Sequence, residues 1–220
     1  MAVLLNIDTA LDTASVCLSS NGEQLGYLAN DRQKDHAAWL HTAIRELLKK
    51  RSIDTGQLNA IAVSIGPGSY TGLRIGLSAA KGLCYALGIP LITVGTLEVI
   101  ASAAKENETD LICPLIDARR MEVFAAVYNK SLLEIVEPMA LIVTKNSFSN
   151  LLLTNRILFC GNGHKKLQSV LCHENAIFRD SPATASDLAQ LAIKYWKDKR
   201  FANLAYIEPL YVKEFYSPRH

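Results

Sequence analysis

Ile61-Ala-Val-Ser-Ile-Gly-Pro-Gly-Ser-Tyr-Thr-Gly-Leu-Arg-Ile-Gly-Leu-Ser-Ala-Ala-Lys-Gly-Leu83 reads as a buried strand, a Gly-Pro-Gly turn, a Ser/Thr cap and a helix. That helix carries Gly72, Gly76 and Gly82. Each interior glycine costs roughly 1 kcal/mol relative to alanine. Something other than helix propensity therefore wants these bare surfaces, and the usual reason is close approach of another helix or backbone.

Working outward, the apolar run Leu4 to Ile7 ends in Asp8-Thr9, and strands follow at Ser15 to Ser20 and Gln24 to Ala29 around the turn Asn21-Gly22. Apolar residues at 37, 40, 44, 47 and 48 make one stripe of an amphipathic helix over His36 to Arg51. After the quoted stretch, with its strand over Ala60 to Ile65 and its helix over Thr71 to Leu87, come a strand over Leu91 to Val94 and a helix over Leu97 to Lys105. From Leu111 the script restarts. An apolar strand again ends in Ile-Asp, at Asp117, and is followed by strands at Glu122 to Tyr128 and Leu133 to Glu137. A helix near Leu151 to Leu153, a strand at Ile157 to Cys160 and helices at Lys165 to Leu171 and Ala185 to Trp196 complete it, with Thr184 or Ser186 as the last cap. The fold class is α/β: duplicated βββαβα units, two ribonuclease-H-like halves facing each other across a cleft, as in the actin-like ATPase superfamily. The polar run at 105–110 sets the boundary, with residues 1–105 as one domain, carrying the glycine-bearing helix, and 106–220 as the other.

At 220 residues with half of them apolar, the chain has ample core for either one domain or two. A net charge of +2 is too weak a bias for autonomous nucleic-acid binding. Short basic clusters at 49–51, 119–120, 165–166 and 197–200 read as solvated turns and helix ends. The first residues show neither a basic leader region nor a long apolar core, so a cytoplasmic protein without membrane attachment is expected. The five cysteines make no Cys-x-x-Cys pair and sit mostly in apolar runs, as small buried hydrophobes in a reducing compartment.

Phosphate loops need glycine because backbone N–H groups must approach the anion closely. Both first hairpin loops, Asp8 to Ala14 and Asp117 to Glu122, lack it. Asp8 and Asp117 are candidates for a metal ligand or general base, or for strand-end turn caps. Gly161-Asn-Gly163, between a strand and a helix, suits either nucleotide approach or plain turn chemistry. The Gly66 to Gly72 loop lacks the lysine and spacing of a Walker motif. His36 and His41 lie on different faces of one helix, and no metal set is expected. The small residues Gly72, Gly76, Ala79 and Ala80, flanked by Leu73, Leu77 and Leu83, form a low ridge. Together with Leu40, Ile44, Leu47 and Leu48 it suits either an apolar four-helix contact with a partner or the seating of the helices on their own sheet.

Ile7-Asp8-Thr9, the string Ala62 to Gly76, Ala80-Lys-Gly-Leu83, Asp117 to Phe124 and the tail Pro209-Leu-Tyr-Val-Lys213 resemble the bacterial TsaB family, also called YeaZ, over nearly the whole chain. Departures are small: Ala10 where Ser is usual, Tyr70 for Phe, Lys213 for Arg. The resemblance implies a non-catalytic subunit that pairs through N-terminal-domain helices with the related enzyme TsaD, which holds the active site and metal-binding histidines. With the ATPase TsaE, that pair forms N6-threonylcarbamoyladenosine at position 37 of tRNAs reading codons that begin with A. ATP is used by the complex, and no cofactor or metal is expected in this chain alone. It further implies tRNA contact through the complex; and because an apolar patch left exposed tends to self-associate, a homodimer through the same helices is expected when the partner is absent. The partner contact is assigned to Leu40, Ile44, Leu47, Gly72, Leu73, Gly76, Leu77 and Ala80. A nucleotide, if one is held, falls to Asp8, Thr9, Asp117, Gly161 and Gly163. Arg119, Arg120 and the run Lys213 to His220 are candidates for electrostatic contact with tRNA or a partner. The competing reading is a self-sufficient ATP-dependent transferase or kinase using the cleft; a protease is the weakest, with no nucleophile arrangement in view.

Overall fold

The computed structural model describes residues 2–32, 35–105 and 108–213. The first sheet has strands β1 (Val3–Asp8), β2 (Ala14–Ser20), β3 (Glu23–Asn30), β4 (Ala60–Ser64) and β5 (Leu91–Val94), in the order β3-β2-β1-β4-β5. The second has β6 (Leu111–Asp117), β7 (Glu122–Asn129), β8 (Glu134–Ile142), β9 (Ile157–Cys160) and β10 (Ala176–Phe178), in the order β10-β9-β6-β7-β8. Numbered from the start of each half, the two orders are the same. In both, the first strand pairs antiparallel with the second and parallel with the fourth. The duplication inferred from the Ile-Asp echo is thus present in the pairing. β10 was not anticipated, because three apolar residues are too short a run for a period-2 signal, and β8 runs five residues past the expected end at Glu137.

Helices α1 (His36–Lys50) and α2 (Tyr70–Leu87) lie on one face of the first sheet, while α4 (Ser149–Leu152) and α5 (His164–Gln168) flank the second. Between the sheets lie α3 (Thr96–Ala103) and α6 (Ala185–Lys197). They cross over. Leu188, Leu191 and Ala192 of α6, from the second half of the chain, pack under Leu4, Ala60, Ala62 and Ile92 of the first sheet. Leu97, Ile100 and Ala101 of α3, from the first half, pack on Ile112, Ala126 and Leu158 of the second. Division of the chain at 105/106 separates the two sheets but leaves each inter-sheet helix on the other half's sheet. Residues 106 and 107 of that polar boundary lie outside the described residues.

Alternation decides which face each side chain serves. In β4, Ile61 and Val63 meet α1 and α2 while Ala60 and Ala62 lie under α6. Both faces of the central strands are covered, which is why the sequence shows continuous apolar runs rather than strict alternation. Ser69 caps α2 by accepting the Gly72 N–H at 3.3 Å. Of the two residues expected to cap α6, Thr184 does so, accepting from Ser186 N at 3.2 Å, while the Asp187 carboxylate accepts from Thr184 N at 2.8 Å. Four of the five cysteines are buried and all five are free thiols. Burial pushes the Cys17 and Cys84 thiols up to about 11, and Cys160 to about 12, so these behave as small hydrophobes. Among the described residues, no helix is long and apolar enough to cross a membrane.

Candidate functional site

Four glycines of the opening stretch meet other parts of the same chain, three of them its backbone. A Cβ on Gly66, whose φ is +119°, would come 2.5 Å from the Leu210 carbonyl oxygen. One on Gly68 would collide with the Ala10 carbonyl, one on Gly72 with the Thr9 carbonyl, and one on Gly76 with Thr9 Oγ1. Two hydrogen bonds seal the contact: Thr9 Oγ1 donates to Gly72 O at 2.7 Å and Ser69 N donates to Ala10 O at 2.7 Å. The β1–β2 loop is therefore clamped against the start of α2. Bare backbone was wanted, and the neighbour is internal.

That finding corrects the partner assignment. Leu40 and Ala80 are 0% exposed, Leu73 1%, Leu47 2%, Leu77 4% and Ile44 5%. Gly72 and Gly76 are buried as well. All except the two glycines and Leu73 belong to the core cluster beneath α1 and α2. The apolar stripe of each helix is the stripe that covers its own sheet, so none of the eight is available to a partner.

The opposite face of the same helix pair is open. Ala37 and His41 of α1 and Ile75, Ser78, Ala79, Gly82 and Leu83 of α2 line a shallow groove of about 410 Å³. A Cβ on Gly82 would meet nothing within 4 Å, so here the missing side chain leaves space at the surface. Tyr85, one turn on, is 86% exposed. Of the three helix glycines only Gly82 faces out, and it was within reach of sequence reasoning: it is the one that breaks the inward spacing of 72, 76 and 80.

The second concavity, about 700 Å³, is the cleft between the halves. Its walls include Asp12, the α2 start Ser69 to Thr71, Asp117, Arg119, Phe124, Asn162 and the tail residues Leu210 to Lys213. Of the five residues assigned to a nucleotide, the cleft receives one, Asp117. Asp8 is 2% exposed, and its Oδ1 accepts from Ser64 Oγ at 2.5 Å and Ala10 N at 3.1 Å. Burial raises its carboxyl above the usual range, with the Ser64 and Ala10 donors opposing. Thr9 is fully buried in the clamp. A Cβ on Gly161 would lie 2.6 Å from Leu115 O, and one on Gly163 3.0 Å from the Ile116 carbonyl carbon. These two glycines fit the β9–α5 turn onto β6. Asp117 is exposed, takes Lys166 Nζ at 2.7 Å and accepts from Arg119 N at 2.7 Å. Partial burial pushes its carboxyl up, but the Lys166 ammonium and Arg119 N–H outweigh it and hold it below the usual range.

The remaining charged candidates divide in the same way. Arg119 lines the cleft, Lys213 is held by Glu122, and residues 214–220 lie outside the described residues. Among the described residues no group of three His, Cys, Asp or Glu side chains is placed to hold a metal ion. His36 is buried at the start of α1, while His41 faces the groove.

Two ribonuclease-H-like sheets of identical order, joined by crossing helices around a cleft, define an actin-like ATPase fold. An ADPNP-bound activator of 2-hydroxyisocaproyl-CoA dehydratase from Clostridium difficile shares that fold, with a TM-score of 0.52 at 9% identity over 90% of this chain and 97% of that one. A family model described as TsaD, tRNA N6-adenosine threonylcarbamoyltransferase, matches residues 22–208. YeaZ from Pseudomonas aeruginosa superposes with a TM-score of 0.82 at 25% identity, covering 96% of this chain and all of that one. A second Pseudomonas aeruginosa structure, of a protein with similarity to peptidase YEAZ, gives 0.86 at 26% over 97% of this chain and 100% of that one. The tRNA threonylcarbamoyladenosine biosynthesis protein TsaB of Bacillus subtilis is 35% identical over 137 residues, 61% of this chain and 59% of that protein. The chain spans a little over half the length of the curated relatives it matches. The chain belongs to the tRNA N6-adenosine threonylcarbamoyltransferase family and, within it, to the TsaB (YeaZ) branch.

Proposed function

We propose that this chain is an accessory subunit in the synthesis of N6-threonylcarbamoyladenosine at position 37 of tRNAs reading codons that begin with A. It docks a TsaD-type catalytic subunit and works with the TsaE ATPase, and the chemistry resides in the partner. Relatives named for this pathway supply the setting. The observation that carries the docking role is the α1–α2 groove, apolar, shallow and open at Gly82. A partner of the same family presents the same two helices, and like faces pair well about a twofold axis, helix ridges entering each other's grooves. The same argument supports a homodimer when the partner is absent, since an exposed apolar face tends to be covered.

Glycine at the cleft serves internal contacts, and Asp8 is used up by Ser64 and Ala10, which favours a subunit without phosphate chemistry of its own. Reconstitution tests this reading. With TsaD, TsaE, threonylcarbamoyl adenylate and tRNA present, omission of this chain is expected to abolish modified adenosine in the nucleoside digest. ATP turnover by the pure chain, lost in Asp117→Ala, would instead support an enzyme that uses its own cleft.

A further inference from the structure

The chain beyond α6 does not end where the fold ends. Ala202 pairs with Leu91 on the exposed edge of β5, its N–H donating to Leu91 O at 2.8 Å. Ala202, Leu204 and Ile207 then pack against the α1–α2 core, and Lys81 Nζ donates to Ile207 O at 3.1 Å. This much covers a sheet edge and needs no further purpose. The next six residues leave the core and cross to the other half. Leu210 N donates to Ile65 O at 2.7 Å, in the one place where Gly66 has no side chain to push it away. Tyr211 takes Arg74 Nε on its hydroxyl at 3.2 Å and lies beside the Tyr70 ring, with centroids 5.6 Å apart. Lys213 Nζ then reaches both Glu122 carboxylate oxygens, at 2.7 and 2.9 Å, on the first residue of β7 in the second half.

We propose that Pro209 to Lys213 is a clasp across the mouth of the interdomain cleft, anchored on the first half at Ile65 and Arg74 and latched to the second through Lys213 and Glu122. The motif glycine at 66 then has a function distinct from the clamp glycines: it seats the clasp. Residues 210–213 themselves form part of the cleft wall, so release of the latch removes that part of the wall. Glu122 is held by strand pairing and by Lys166, which donates to its main-chain oxygen at 3.1 Å, so a pull on Lys213 is passed to the β6–β7 hairpin rather than lost in a mobile side chain.

Hydrogen exchange on the whole 220-residue chain tests this, comparing the parent with Lys213→Glu, Glu122→Lys and the double reversal. Lys213 is exposed and Glu122 partly buried at the start of β7, and far-ultraviolet circular dichroism checks that each variant keeps the fold. An exposed pair shifts a local opening equilibrium only modestly, so each single reversal is expected to speed exchange about two- to fivefold. The effect is expected in residues 118–122 as well as in 209–213, with the double reversal restoring both. Faster exchange confined to 209–213 would show a passive tail and overturn the clasp. So would single variants that the double reversal fails to rescue.

Discussion

One helix, α2, shows two faces that look alike in sequence and differ in use. Its inner face carries Gly72, Leu73, Gly76, Leu77 and Ala80, and its outer face carries Ile75, Ser78, Gly82 and Leu83. Both mix glycine with aliphatics. On the inside, glycine is a fitting surface for the backbone and side chain of Thr9; on the outside, it leaves a depression with nothing in it. A glycine in a helix therefore reports that something must come close, without saying whether that something belongs to the chain.

The largest effect expected from this contrast is on folding. Gly76→Leu drives a side chain into Thr9 and Val63, where overpacking costs about 3 kcal/mol or more, and denaturant titration should show a destabilised or unfolded protein. On the outer face, where a side chain on Gly82 meets nothing, Gly82→Arg is expected to keep or slightly raise the melting temperature while weakening partner binding by at least about 2 kcal/mol, or roughly 30-fold, by calorimetry. If the two variants exchanged phenotypes, the division of α2 into faces would be wrong.

The same inside–outside contrast separates the two Ile-Asp strand ends. Asp8→Ala strands the buried Ser64 hydroxyl and Ala10 N–H and should cost about 1–3 kcal/mol, whereas Asp117→Ala removes an exposed ion pair worth about 1 kcal/mol or less. Asp8→Asn sharpens the point through pH. Because the folded-state carboxyl titrates above the unfolded one, the unfolded state ionises first as pH rises, and the parent loses stability through that window. The Asn variant is therefore expected to be at least as stable as the parent at pH 7, with the gap closing as pH falls into the ordinary carboxylate range. The smallest effect is Gly82→Ala, which should raise stability by up to about 1 kcal/mol through helix propensity alone, while Gly72→Ala lowers it.

The duplicated architecture was legible because it rests on long periodic elements and on the repeated Ile-Asp strand end, while β10 escaped as a three-residue strand. The site was read less well. Periodicity marks a helix's apolar stripe, and in a two-layer contact that stripe covers the chain's own sheet. The opposite face is lined by small and half-polar residues such as His41, Ser78 and Gly82, which leave no periodic trace, and Ala37, counted in the apolar stripe, lies there too. Nor could spacing reveal that Thr9, sixty-three positions from Gly72, is what the motif was shaped to meet. Long-range backbone contact is settled by topology, and the sequence names only one of its two sides.

The central claim is that the outer α1–α2 face, and not the inner ridge, receives the partner. Light scattering coupled to size exclusion, on this chain mixed with TsaD from the same organism, tests it most directly. The parent should form a 1:1 complex at tens of micromolar, and well-folded Gly82→Arg should elute as separate components. A Gly82→Arg protein that still forms the full complex would contradict the account.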